Sequence, residues 1–118
     1  MNAPRARMTH ELKTWPEFFI ETRGGRKKFE LRKNDRDFRV GDQLLLKEWD
    51  PKVYQKNLPS DHRTVEDIQA AIEAAYTGRE FLVRVDYIMG AAYVAGFGYR
   101  GISPIDRGYV IMSISLIS

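Results

Sequence analysis

Lys27, Glu30 and Arg32 bring a primary amine, a carboxylate and a guanidinium into one short segment of this 118-residue chain. Such a trio can hold an anion, read a hydrogen-bonding edge, or move a proton while a cation steadies the charge that develops. The surroundings favour the first two. Between Arg23 and Arg39 stand eight basic residues against three acids (Glu30, Asp35 and Asp37), in a chain whose formal net charge is only +3. The positive charge is therefore local and the remainder of the chain is net negative, an arrangement that attracts polyanions and anionic small molecules to one place. Lys27, Arg32, Lys33 and Arg36 are the side chains expected to neutralise phosphates, with Lys13 beside them, and each contact would make binding salt-sensitive through counterion release. Glu30 and Asn34 offer an acceptor and an amide for a base edge, and Trp15, Tyr93, Phe97 or Tyr99 a ring for stacking. A charge run also makes plain solvated surface, and Glu30 between Lys28 and Arg32 is equally an ion-pair hub.

Other chemistries lack their residues. There is no cysteine, so no disulfide framework, thiol nucleophile or thiolate metal site is available, in keeping with a cytoplasmic location. His10 and His62 are far apart and make no zinc pattern, and Asp35, Asp37 and Asp42 stand in turn contexts rather than in a metal cluster. The glycines at 90, 96, 98, 101 and 108 fit neither phosphate-loop nor dinucleotide spacing. No metal and no cofactor are expected. Tyr99 and Arg100, inside Gly96-Phe97-Gly98-Tyr99-Arg100-Gly101, resemble segments that touch RNA and join the candidate binding residues.

The elements that must position these groups follow from periodicity and punctuation. Residues 1–8 read as a disordered leader with no apolar signal region, and 9–118 as one domain. Thr9 to Lys13 reads as a strand, and Thr14-Trp15-Pro16-Glu17 as a capping box opening a helix from Trp15 to Thr22 that Gly24-Gly25 ends. The helix is expected to pack through Trp15. Arg26 to Lys33 alternates, with Phe29 and Leu31 on one face and Lys28, Glu30 and Arg32 on the other. Strict alternation puts Lys27 with Phe29, so a bulge or a strand start near Arg26 is needed to turn it toward Glu30. Gln43 to Trp49 is a strand that Asp50-Pro51 stops. A helix from Thr64 to Tyr76 looks inserted, at about 53–77, with Val65, Ile68, Ile72 and Ala75 at helical spacing. Phe81 to Met89 and Gly108 to Ile117 are the last strands, with Tyr87 and Tyr109 expected in the core. The fold class is α+β: a small barrel of five to six mostly antiparallel strands with two short helices.

Gly25, Lys27, Glu30 and Arg32 match the G-x-K-x-x-E-x-R pattern of the ASCH superfamily, whose fold is the PUA-like barrel. His10 to Lys13, Arg32 to Phe38, Val40 to Asp42, Glu48 to Pro51, Thr77 to Arg79 and Gly108 to Val110 resemble the DUF3850 group of small phage and bacterial proteins. The resemblance runs from about His10 to Ile114 and is interrupted at 53 to 76. It implies a cleft beside the first helix that holds RNA or a nucleotide-like ligand, in a protein expected to be monomeric and off the membrane. It also raises two alternatives. Related small amidohydrolases cleave N4-acetylcytidine with a lysine, a threonine and a glutamate; Lys27 matches the lysine, but Glu30 stands where they keep the threonine, which argues against the same acyl transfer. A general-base route would use Lys27, Glu30 and Glu80. The second alternative is a phage-type protein that binds a host protein through the inserted helix.

Overall fold

Alternation builds the sheet, and the same parity brings every strand's inward residues onto one concave face. The computed structural model describes residues 6–60, 64–90 and 108–117. Most of the expected leader, His62, and the aromatic segment with Tyr93, Phe97, Tyr99 and Arg100 lie outside them. Strand β1 (Thr9–Thr14) buries His10, Leu12 and Thr14. Strand β3 (Gln43–Trp49) buries Leu44, Leu46 and Glu48 on the same face. β4 (Tyr76–Gly90) adds Phe81, Val83 and Val85, and β5 (Tyr109–Leu116) adds Val110, Met112 and Ile114. β2 (Phe29–Lys33) completes a five-stranded sheet in the order β1-β3-β4-β5-β2. Only β1 against β3 is parallel; β3–β4, β4–β5 and β5–β2 are antiparallel. The sheet curls into a half-barrel around its apolar residues, with β1 and β2 as its two free edges.

Helix α1 (Pro16–Arg23) follows β1 and closes the core with Phe19, whose ring meets Phe81 edge-on at 5.0 Å. The expected capping box is absent. The N-cap is Trp15, without a side-chain cap, because Thr14 is still in β1 with its side chain turned inward. Pro16 supplies the pre-set first turn, and Gly25, at φ +79°, lets the chain leave the helix. Trp15 does not pack the helix on the sheet: it is 47% exposed, and Phe19 does that work.

Three helices are present among the described residues, not two. Asp50-Pro51, which ends β3, also starts α2 (Pro51–Asn57), because the Asp50 carboxylate accepts from the Lys52 N–H at 2.9 Å and Pro51 occupies the first turn. α3 (Val65–Ala74) has a complete capping box between Thr64 and Asp67. It ends earlier than expected, since Tyr76 already opens β4. Ala71 and Ala75 are buried, and the Trp49 indole N–H donates to the Ile72 carbonyl at 3.0 Å, so most of the α3 stripe is covered within the domain; Val65 alone stands out at 74% exposure.

Tyr87, expected in the core, is exposed, and a bulge is the reason. The β4–β5 register shifts between Val85 and Tyr87, so Ile88 packs on the core in place of Tyr87.

The turn between β2 and β3 carries more than local geometry. Asp42 is buried and accepts from the Met8 N–H at 3.1 Å, the His10 Nε2–H at 2.9 Å and the Arg39 N–H at 3.0 Å, while the His10 ring meets Phe38 edge-on. One carboxylate thus ties the turn to the start of β1. Asp42→Ala leaves His10 buried without its acceptor and is expected to cost about 2–4 kcal/mol. A urea titration showing a change below about 0.5 kcal/mol would contradict this role.

Candidate functional site: a cleft at the open seam

The two edge strands face each other across a gap, and basic side chains span it. Met8 O accepts from Gln43 N, so the even-numbered residues of β1 turn their backbone toward β3, while Glu11 and Lys13 turn theirs to the gap. Lys28 O accepts from Ile114 N and Asn34 N donates to Gly108 O. The even-numbered residues of β2 therefore pair with β5, and the backbones of Phe29, Leu31 and Lys33 face the gap. No strand ladder joins β1 to β2. Instead Arg32 Nη2 donates to Lys13 O at 2.9 Å and to Thr14 Oγ1 at 3.3 Å, and Arg36 donates to Glu11 O. Two guanidinium groups thus satisfy edge carbonyls that a neighbouring strand would otherwise take.

Glu30 holds this arrangement from below. It is 3% exposed; Oε1 accepts from Lys27 Nζ at 3.1 Å and Oε2 from Arg32 Nε at 2.9 Å. Lys27 also donates to Phe29 O at 2.6 Å. The strand begins only at Phe29, so Lys27 lies before it and is free of its alternation, which is how it reaches Glu30. The burial of β2 is the reverse of that on an apolar strand: Glu30 points inward, while Phe29 and Leu31 are half exposed. Two flanking cations make this tolerable, since a carboxylate buried without them would be strongly unfavourable.

Outward-turned Phe29 and Leu31 meet Trp15 and Phe18 of the α1 region around a cleft of about 450 Å³, floored by Lys27, Glu30, Arg32 and Thr14. Trp15 and Phe18 stack with centroids 6.4 Å apart and planes 21° from parallel. Lys27 Nζ lies 4.8 Å from the Phe29 ring and 5.8 Å from that of Phe18. The cleft therefore combines aromatic walls with a floor of two cations and one carboxylate. Lys27 has three N–H donors and Arg32 five, more than their contacts here use.

The remaining sequence candidates fall in different places. Lys13 lines the cleft and gives its carbonyl to Arg32, while its ammonium lies 5.2 Å from the Trp49 ring. Lys33 is exposed at the end of β2. Asn34 Oδ1 accepts from the Phe38 N–H, a turn contact. Glu80 is exposed and is the register partner of Lys47, whose side chain faces away from the concave surface, so it is not brought to Lys27 and Glu30. Tyr99 and Arg100 lie outside the described residues.

The inward carboxylate that sequence reading missed is Glu48. It accepts from Thr77 Oγ1 at 2.7 Å and from Arg79 Nε and Nη2 at 2.9 and 2.7 Å, and it is the register partner of Thr14. The Arg79 hydrogen bonds hold its carboxyl below the ordinary carboxylate range against the opposing effect of burial, with Thr77 adding to the lowering. Parity along Leu44, Leu46 and Glu48 was the available signal: an acid at an inward position needs a partner.

Fold and cleft together define a small α+β half-barrel whose open seam is bridged by arginines and walled by aromatic rings. The family described as domain of unknown function DUF3850 matches residues 9–114, and the chain belongs to that family. No curated protein matches it. Among the described residues no group of three or more His, Cys, Asp or Glu is placed to hold a metal ion. No helix there is long and apolar enough to cross a membrane.

Proposed function

We propose that this half-barrel is an ASCH domain of the PUA-like fold, and that its seam cleft binds an unpaired nucleobase with its phosphate, in single-stranded RNA or a free nucleotide. The observation that carries this reading is the union in one cleft of aromatic walls, Trp15, Phe18 and Phe29, with the cationic floor of Lys27 and Arg32. Every base has a π face to stack, and the adjoining phosphate is attracted by the cations. A duplex keeps its bases stacked on one another and is the poorer ligand. Glu30 acts here by positioning the two cations, since each of its oxygens already accepts from one of them.

The test is titration of short single-stranded RNAs and mononucleotides at two salt concentrations. Affinity is expected to fall as salt rises, with the slope reduced by about one for each phosphate-contacting cation removed. Trp15→Ala and Phe18→Ala are each expected to weaken binding on the order of tenfold, the scale of one lost stacking contact. Binding absent at low salt for every nucleotide and RNA tried would overturn the reading.

A hydrolytic reading has one observation in its favour. Thr14 places a hydroxyl in the cleft that also holds Lys27, accepting from Arg32. Turnover of N4-acetylcytidine that is abolished by Thr14→Val would put catalysis first.

A further inference from the structure

Within the cleft, β2 presents an open strip of backbone, and we infer that the Leu31 N–H and C=O read the pairing edge of the bound base. This rests on the nucleobase-binding reading above. Leu31 and Ile111 face each other as a non-hydrogen-bonded pair, because the neighbouring pairs carry the ladder, as Lys28 O to Ile114 N and Asn34 N to Gly108 O show at either end. The Leu31 amide groups are therefore directed out of the sheet, on the side where the cleft lies.

Phe29 offers its carbonyl to the same side, but Lys27 occupies it. On the opposite bank, Arg32 and Arg36 occupy Lys13 O and Glu11 O. Among the described residues that line the cleft, Leu31 keeps both its donor and its acceptor open, with the Phe29 N–H beside them.

The arginines that cross the seam decide the occupant. A peptide strand pairs through several alternate residues, and the side chains bridging the seam stand where they would lie. A base needs only one adjacent donor and acceptor. Uracil, guanine, adenine and cytosine each present such a pair on the pairing edge, the counterpart of what Leu31 offers. Phe29 and Leu31 rise from the strand as half-exposed apolar side chains beside that edge, and Trp15 and Phe18 stand across the cleft. Contact through the backbone is independent of the Leu31 side chain and requires the base to be unpaired.

The experiment compares each of the four mononucleotides with its counterpart methylated on the donor nitrogen of the pairing edge: N3 of uracil, N1 of guanine, and doubly on the exocyclic nitrogen of adenine or cytosine. The preferred nucleotide is expected to lose on the order of tenfold in affinity on methylation, the scale of one lost base-edge contact. Leu31→Pro deletes the donor alone. Pro is tolerated on an edge strand where its nitrogen faces outward, so the β2–β5 ladder is kept. This variant is expected to lose the same factor and to become insensitive to the methyl group, whereas Leu31→Ala, which keeps the N–H, retains the discrimination. Should Leu31→Pro fail to fold, the methylated series with the wild-type protein decides by itself. Nucleotides bound equally well with and without the methyl group would overturn the inference while leaving the cleft a nucleotide site. No binding of any nucleotide or RNA would remove the reading beneath it.

Discussion

Glu30→Ala is expected to destabilise the protein by about 3 kcal/mol, the scale for removing one partner of a buried ion pair. The variant leaves Lys27 and Arg32 facing each other across the space of a carboxylate that is 3% exposed. Arg32 also bridges β2 to Lys13 and Thr14 of β1, so loss of its anchor loosens the seam as well as the strand. Glu30→Gln separates charge from shape. The amide can still accept from one cation, and its expected cost is nearer 1 kcal/mol. The net charge of the cleft floor rises by one, so RNA affinity at low salt is expected to hold or increase in this variant. Urea denaturation and RNA titration of both variants check the pair of expectations. A Glu30→Ala protein as stable as wild type would show that the seam does not depend on this carboxylate.

The second large effect belongs to Glu48, outside the cleft floor. Its carboxyl is held below its ordinary value by the Arg79 hydrogen bonds first, with Thr77 contributing and burial opposing. A depressed folded-state value means that the carboxylate's contribution is present in full above the unfolded value of about 4.5. It is lost as pH falls through the lower folded value. Glu48→Gln is therefore expected to lose about 2 kcal/mol at pH 7, and to lose progressively less relative to wild type as pH drops below 4.5. Stability measured from pH 7 to pH 3 in both proteins checks this. Parallel curves over that range would mean that Glu48 titrates alike in the folded and unfolded chains.

Much of this fold was legible because strands with one buried face advertise it. Phe81, Val83 and Val85 stand on the face that their period-two alternation marks out, whereas Tyr109, expected in the core, is only half-buried because Val110, Met112 and Ile114 take the inward positions of β5. The positions of Lys27, Glu30 and Arg32 in one cleft were also legible, since parity put Glu30 with Arg32 and a late strand start released Lys27. Hydrophobicity alone would orient β2 the other way. An apolar and a polar face alternate in Phe29, Glu30, Leu31 and Arg32, and hydrophobicity alone assigns the apolar one to the core. Here ion pairing reverses it, because the inward carboxylate finds cations from its own segment and the outward apolar residues wall a cleft.

Two other differences have equally specific causes. Asp50-Pro51 reads as a strand stop, and the same two residues are an N-cap and first turn, so α2 was hidden behind its own start signal. The roles of Arg32 and Arg36 as straps depend on strand order, which no local pattern encodes. Only once β1 and β2 are known as the two edges does a guanidinium beside Lys13 O or Glu11 O become structural as well as electrostatic.

The most direct measurement uses Trp15 as reporter. The chain has two tryptophans, and of these Trp15 is 47% exposed at the cleft while Trp49 is 9% exposed and hydrogen-bonded to Ile72. Titration of short single-stranded RNA at low salt is predicted to quench the fluorescence saturably, with quenching relieved by added salt and abolished in Trp15→Phe. Saturable quenching that persists in Trp15→Phe, or binding that leaves the fluorescence unchanged, would contradict stacking in the seam cleft.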